Sequence, residues 1–486
     1  MNELKDMEIE GVKPKQRLAS LDFQRGLAIW MMTFLHAAAN MYDSSFISEN
    51  PGNILDLPIS VILFIVFFGF FAVWNSYFLF ISTTVNSLSM SKKILNGQDP
   101  KKILFRQILT GVGLLVVNII DNSFLYSGYF GVGIRTGDWS NTYPLWRGFF
   151  EMGTLRIIAW SIILCSILIY FLLKDKGYEK YRRNMTILGS LAIIIIIASQ
   201  FVHNAVDNID WIIPSTLPTG VDLGVNPSWP GVDFQALNAS FKSWLLTIFA
   251  GDIEPIFPYF ATALVGAMIG MTLSKPEPIK RLPLIGGISG LGTLGLGGLF
   301  MGLGFVSFGN ERPPLGNYFI MFGAQICSMF LLLWLVEYRG KAQQFGDNII
   351  VKHFRKWGMI SLSVYVLQIY ELLPRFVVGS IYNLIFYPRI NMVNGSAFKI
   401  GEEYKTLIFA VIAILFFELL IYLWSKVNFF LSFEWFITKS VSLVTKQTTY
   451  RLEVNAMMNK IHWIDYKTIS QQNQISKETT NTNNSV

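Results

Sequence analysis

Charge is scarce in this chain. Asp, Glu, Lys and Arg make up 15% of its 486 residues, against about 25% in a typical soluble domain. That shortage excludes an ordinary water-soluble fold. Cysteine is scarcer: Cys165 and Cys327 are the only two, and both fall inside apolar runs. They frame neither a disulfide scaffold nor a metal site. Four histidines are too few for a His-rich cluster, so no metal is expected. No small-residue cleavage site follows the first apolar run, which reads as a retained helix rather than a removed signal peptide. No convincing repeat relates the two halves, although many transporters are built that way. Residues 290–295, Gly-Leu-Gly-Thr-Leu-Gly, fit a dinucleotide-binding pattern, but no strand precedes them. Gly286 and Gly290 are four apart, as are Gly298 and Gly302, the spacing of closely packed membrane helices.

What the chain has is apolar length. Hydrophobic residues make up 52%, with 40 Phe and 13 Trp. A window of ~20 such residues crosses ~30 Å of hydrocarbon. About ten helices are expected, at 20–41, 57–84, 103–121, 153–173, 185–204, 255–273, 283–306, 317–337, 358–385 and 405–426. The fold class is therefore all-α, a polytopic membrane protein whose first partner is the lipid bilayer. Lys and Arg alternate between the connecting segments. The N-terminus, 86–106, 174–184, 274–282 and 338–357 carry three to five each, whereas 42–56, 122–152, 205–254, 307–316 and 386–404 carry none to two. Basic segments favour the cytoplasm, which puts both termini inside a cell membrane. The same distribution accounts for the net charge of +7 without nucleic acid.

Four regions follow: a cytoplasmic segment (1–16), a transmembrane domain (17–426), an interfacial amphipathic segment (427–467) and a polar, disordered tail (468–486). The long outer loops 122–152 and 205–254 are rich in Gly, Pro, Trp, Asn and Asp, and read as partly ordered caps over an outward site.

Polar side chains within a span usually face the bundle interior or a water-filled cavity. In the first helix, Asp22, Arg25, Ile29, Thr33, His36, Asn40 and Asp43 recur at three-and-four spacing, and six of these seven are polar. They share one helix face over about 31 Å, at ~1.5 Å per residue. Arg25 and His36 are close to three turns apart, about 16 Å along the axis, with Arg25 towards the cytoplasm and His36 in the outer half. Taken singly, Arg25 also reads as a snorkelling interface residue, Asp22 as an i+3 partner of Arg25, and His36 as a packing hydrogen bonder. Asn118, Asp121 and Asn122 group at the end of the third span, and Gln200, His203, Asn204 and Asp207 at the end of the fifth. Both groups read first as interface residues meeting water. Glu371 and Arg375, four apart in the ninth span, form a packing ion pair or part of a site.

The segment Arg-Leu-Ala-Ser-Leu-Asp-Phe-Gln-Arg-Gly (17–26), followed by an apolar run to His36, resembles the opening motif of the heparan-alpha-glucosaminide N-acetyltransferase catalytic family. Arg17, Asp22, Arg25, Gly26 and His36 match in order. The Arg25–His36 spacing is also similar to the membrane acyltransferase-3 family. Residues 71–82, 153–161 and 357–368 resemble later segments of such proteins, although several relatives carry His where this chain has Gln368. The resemblance implies a membrane-bound acyltransferase. Acetyl-CoA or another acyl-CoA would be the cytoplasmic donor, with no metal, and the acceptor an amine or hydroxyl of an extracytoplasmic glycan or glycolipid. On that reading Arg25, Lys101, Lys102 and Arg106 bind the anionic donor. His36, with Arg25 and Asp22, forms the catalytic set, His36 acting as base or as transient acyl carrier. Asn40, Asp121 and His203 are the candidates for holding the acceptor, and a homodimer is compatible. Two rivals stand beside this: a transporter with an intramembrane proton or substrate path, and a non-catalytic relative.

Overall fold

The computed structural model describes residues 16–43, 59, 61–64, 67, 76–142, 144–145, 148–207, 240–251, 253–305, 312–446, 454, 458 and 461–472. Helices α1 (Ala19–Met41), α2 (Tyr77–Leu95), α3 (Pro100–Phe124), α4 (Tyr129–Thr136), α5 (Thr154–Leu173) and α6 (Tyr181–Asp207) lead to α7 (Phe241–Ala250), α8 (Ile256–Leu273), α9 (Leu282–Gly302) and α10 (Leu315–Val336). Then come α11 (Ala342–Asp347), α12 (Ile349–Met359), α13 (Ser361–Val366), a 3₁₀ turn (Leu367–Glu371), α14 (Leu372–Ile385), α15 (Glu403–Lys426) and α16 (Phe433–Thr445). Two short strands, β1 (Gln16–Arg17) and β2 (His462–Trp463), pair in parallel. The fold is all-α apart from that pair among the described residues.

Eight described helical stretches are long and apolar enough to cross a membrane: Pro100–Thr136, α5, α6 to Val206, α8, α9, α10, Ser361–Ile385 and α15. They correspond to the third through tenth predicted spans. Helix α1 has 23 residues, but its polar stripe makes it less apolar than these. The predicted span 57–84 lies largely outside the described residues, and α2 runs on from Tyr77 to Leu95. Most of loop 205–254, the N-terminal segment before Gln16 and the tail from 473 also lie outside them, while 466–472 are helical.

Capping chemistry sets several helix starts. Asp99 accepts from Lys101 N at 2.9 Å with Pro100 in the first turn of α3, and Asn348 accepts from Ile350 N at 2.9 Å to open α12. Small residues set the closest crossings. A Cβ on Gly290 of α9 would meet Cys327 Sγ of α10 at 2.6 Å, and one on Gly286 would enter the Phe330 ring. Gly298 and Gly302 face open space instead. The close packing expected from the spacing thus holds for Gly286 and Gly290 but not for Gly298 and Gly302, and Gly297, outside both pairs, also packs closely, on Ile320.

Two large apolar cores form, with two smaller clusters beside them. The larger surrounds α8, whose Ala261, Ala263, Leu264 and Ala267 are fully buried, with α2, α5 and α10 packed on it. The second joins Ile29, Ala37 and Met41 of α1 to Trp357 of α12 and to Phe409 and Phe417 of α15. Helix α1 belongs to both, through Leu21 and Ala28 on one side and Ile29 and Ala38 on the other. It runs along the seam.

The predicted alternation of basic segments becomes a grouping in space. At one end of the bundle Ser20 N donates to Glu337 (2.9 Å), Tyr338 Oη to Ile279 O (3.3 Å) and Tyr466 Oη to Leu273 O (2.9 Å), and Lys275 lies over the Tyr181 ring. At the other end Ser396 N donates to Asn40 O (2.8 Å), Tyr42 Oη to Glu403 (3.0 Å) and Glu254 N to Met152 O (2.9 Å).

Candidate active site

The stripe on α1 meets the ninth span. His36 Nδ1 lies 3.0 Å from Gln368 Oε1, and Asn40 Nδ2 donates to Glu371 Oε2 at 3.4 Å. Glu371 in turn accepts from Arg375 Nε (3.0 Å) and Nη2 (2.8 Å), and Arg375 Nη2 reaches Tyr126 Oη at 2.9 Å. Glu371 and Arg375 are almost wholly buried, so each answers the other's charge where water does not.

Helical arithmetic explains why these pairs form. His36 and Asn40 are four apart on an α-helix and share a face. Their partners are three apart, and they sit on a 3₁₀ turn, Leu367–Glu371. Residues three apart eclipse in that geometry, so Gln368 and Glu371 point the same way. The two helices run parallel, and the two spacings match.

The amide oxygen of Gln368 can only accept, so Nδ1 of His36 carries the proton and Nε2 the lone pair. Gln368 Nε2 is aimed at Met32 Sδ, 3.9 Å away, which fits that amide orientation. Nε2 of His36 has no hydrogen-bond partner among the described residues, and His36 is exposed between buried Thr33 and Ala37. The imidazole is thus held by one nitrogen and open at the other.

A second polar group stands beside this one. Asn118, Asp121 and Asn122 are buried, not water-facing. Tyr365, three residues before Gln368, lies in the field of Asp121, Glu151 and Glu254, with Thr154 at its hydroxyl. Glu254 is fully buried. Neither of its carboxyl oxygens finds a well-formed hydrogen bond, and burial pushes its pKa up to about 8, with the Thr154 hydroxyl opposing. The Arg156 guanidinium fixes the preceding loop through Phe149 O (2.7 Å) and Gly148 O (3.0 Å).

The other end of the stripe is cationic. Asp22 pairs with Arg17 at 2.8 Å, not with Arg25. Arg25 makes no hydrogen bond or ion pair among the described residues, and its Nε is buried unsatisfied. Asp22 and Glu434 are within electrostatic reach of it. Helix α12 crosses α1 there: a Cβ on Gly26 would stand 1.8 Å from Phe354 O, and one on Gly358 would stand 3.4 Å from Arg25 Nε. A buried guanidinium donor left open in this way suits an anionic ligand.

Not every predicted residue joins these groups. His203 Nε2 lies 2.9 Å from Phe257 O, tying α6 to the start of α8. Lys101 and Lys102 are exposed at the opening of α3, and among the described residues no hydrogen bond or ion pair joins them to Arg25. Arg106 is half-buried one turn on. Sequence reasoning missed the role of Gln368 as partner of His36, and it missed Glu151, Glu254 and Tyr365 altogether. The odd Gln at 368 was the one available signal.

Among known families, the one described as Heparan-alpha-glucosaminide N-acetyltransferase, catalytic, matches residues 17–292. The matched stretch opens at Arg17, takes in all of α1 and ends within α9, so Gln368, Glu371 and Arg375 lie beyond it. No curated protein matches the chain.

Proposed function

The chain belongs to the heparan-alpha-glucosaminide N-acetyltransferase catalytic family, an integral membrane acetyltransferase family, and from that premise we propose the following reaction. The protein moves an acetyl group from acetyl-CoA, or another acyl group from its acyl-CoA, on the cytoplasmic side to an amine or hydroxyl of an extracytoplasmic glycan or glycolipid. The observation that carries this reading is the polar face of α1, with Arg25 unpaired among the described residues at one end and His36, held at Nδ1 by Gln368, at the other. The donor's phosphates would meet Arg25, with Lys101, Lys102 and Arg106 contributing at longer range. Asn40 and Asp121 would hold the acceptor, and His203 would support the fold beside them.

In the direct route, Nε2 of His36 takes the proton from the acceptor N–H or O–H as the heteroatom attacks the thioester carbonyl. The C–S bond breaks, and the proton passes to the leaving thiolate, giving free CoA thiol and acetylated acceptor. In the relayed route, Nε2 itself attacks the thioester carbonyl, the C–S bond breaks and CoA leaves as thiolate. The acceptor heteroatom then attacks the acetyl carbon, the bond to Nε2 breaks, and the acceptor's proton passes to the thiolate, restoring His36. Labelled acetyl-CoA added to the basic-loop side of oriented vesicles tests the proposal. Label on a glycan at the opposite side supports it, and absence of transfer to every glycan pool overturns it. Label trapped on the wild-type protein without acceptor, and lost in His36→Ala, selects the relay.

A further inference from the structure

Away from the polar stripe, one carboxylate of the last span collects three donors. Glu418 Oε1 accepts from Trp30 Nε1 of α1 (3.2 Å) and from Trp357 Nε1 of α12 (3.0 Å), and it lies 2.9 Å from His353 Nε2. Its other oxygen, Oε2, has no hydrogen-bond partner among the described residues. Glu418 lines a cavity of about 300 Å³, walled also by Trp30, Phe34, Phe354, Val411 and Leu415. The Trp30 and Phe34 rings stack with centroids 5.9 Å apart, and Phe354 meets Trp30 edge-on.

A carboxylate in an apolar span is costly unless something answers its charge. The two indoles supply hydrogen bonds but no countercharge, and His353 answers the charge only in its protonated form. A fixed carboxylate with one free oxygen, set among aromatic faces, selects a cation, because the ring faces attract it as well. The free oxygen further favours a cation that donates hydrogen bonds. The cavity is large enough for a headgroup and too small for a whole lipid. Beside it, Val411, Leu415 and Leu419 of α15 form an exposed apolar row. Lys356 stands one turn past His353 on α12, at the basic end of the bundle.

We propose that this cavity holds the headgroup of a phospholipid with a primary ammonium. The ammonium meets Glu418 Oε2, the phosphate faces Lys356, and an acyl chain follows the exposed row on α15. A quaternary ammonium cannot donate to Oε2 and is selected against.

The test is native mass spectrometry of the full-length protein taken from vesicles of equal parts phosphatidylethanolamine, phosphatidylcholine and phosphatidylglycerol. Phosphatidylethanolamine is expected to be retained about tenfold over either competitor, which corresponds to ~1.4 kcal/mol. Glu418→Gln brings it down to their level. Val411→Trp, which fills the cavity and keeps the carboxylate, also removes the retained lipid. Equal retention of all three lipids, or phosphatidylethanolamine held undiminished by either variant, overturns the proposal. If Glu418→Gln does not fold, Val411→Trp decides.

Discussion

His36 is held by the neutral amide of Gln368 and not by a carboxylate. Gln368→Leu frees the imidazole to take either tautomer. Transfer is expected to fall by about tenfold in kcat with the donor KM unchanged, a modest part of the ~10²–10⁴-fold that base catalysis contributes. Gln368→Glu places a carboxylate at Nδ1 and stabilises the imidazolium. The acid limb of the pH–rate profile should then move to higher pH. His36→Ala should cost 10²-fold or more, and undiminished transfer in that variant would remove His36 from the mechanism. Glu254 makes a separate prediction about stability. Burial lifts its carboxyl from an ordinary 4.5 to about 8, so the folded protein binds this proton more tightly than the unfolded chain. The stability it contributes is full below about 4.5 and is lost as the pH rises through about 8. Glu337 shares that direction and that value. Melting curves from pH 6 to 9 in fixed detergent should slope downward in wild type, less steeply in Glu254→Gln, and flatten only when Glu337→Gln is added.

At the level of elements, the site depends on how two helices cross. Gly26 has Phe354 O where a Cβ would go, and no small adjustment clears a backbone carbonyl. Gly26→Ala should force α12 away from α1 and cost about 1–3 kcal/mol, as overpacked cores do. It is expected to lower both the melting temperature and transfer, whereas Gly287→Ala, which meets nothing within 4 Å, lowers neither. The start of the ninth span has its own clamp. Glu434 of α16 accepts from Leu362 N (2.7 Å) and Ser363 Oγ (2.6 Å), and Phe433 N donates to Ser363 Oγ (2.8 Å). Much of α1 was legible in sequence, because a helix repeats every 3.6 residues and six polar residues fell on one face. Its partner face was not. The 3₁₀ turn at 367–371 follows no Pro or Gly and local propensity does not mark it, and the break at Ile360 has only Gly358 before it as a local signal. Gln368 and His36 lie 332 residues apart, a separation no periodicity spans. The burial of Asn118 and Asp121 was hidden for the same reason, since the loop that covers them depends on Arg156 folding back to Gly148 and Phe149.

Across the whole molecule, the chain closes on itself. Residues 16–17 pair with 462–463, and Ile464 N donates to Arg17 O at 2.8 Å. Trp463 fills the space beside Gly346, with the Arg355 guanidinium 4.5 Å above its ring. Removing residues 461–486 should therefore loosen the entrance of α1 next to Asp22 and Arg25. Thermal stability is expected to fall, and donor KM to rise more than kcat falls; a truncated protein with unchanged donor KM would separate the clasp from the site. Composition showed the membrane class and the approximate spans, but a two-residue strand has no sequence signature, and the segment around 462 reads as interfacial. The pairing also has a consequence in time. Gln16 and Arg17 are translated long before their partners His462 and Trp463. Until those partners are made, the first helix sits in the bilayer with its entrance unclasped, so the pairing is one of the later contacts the growing chain can form.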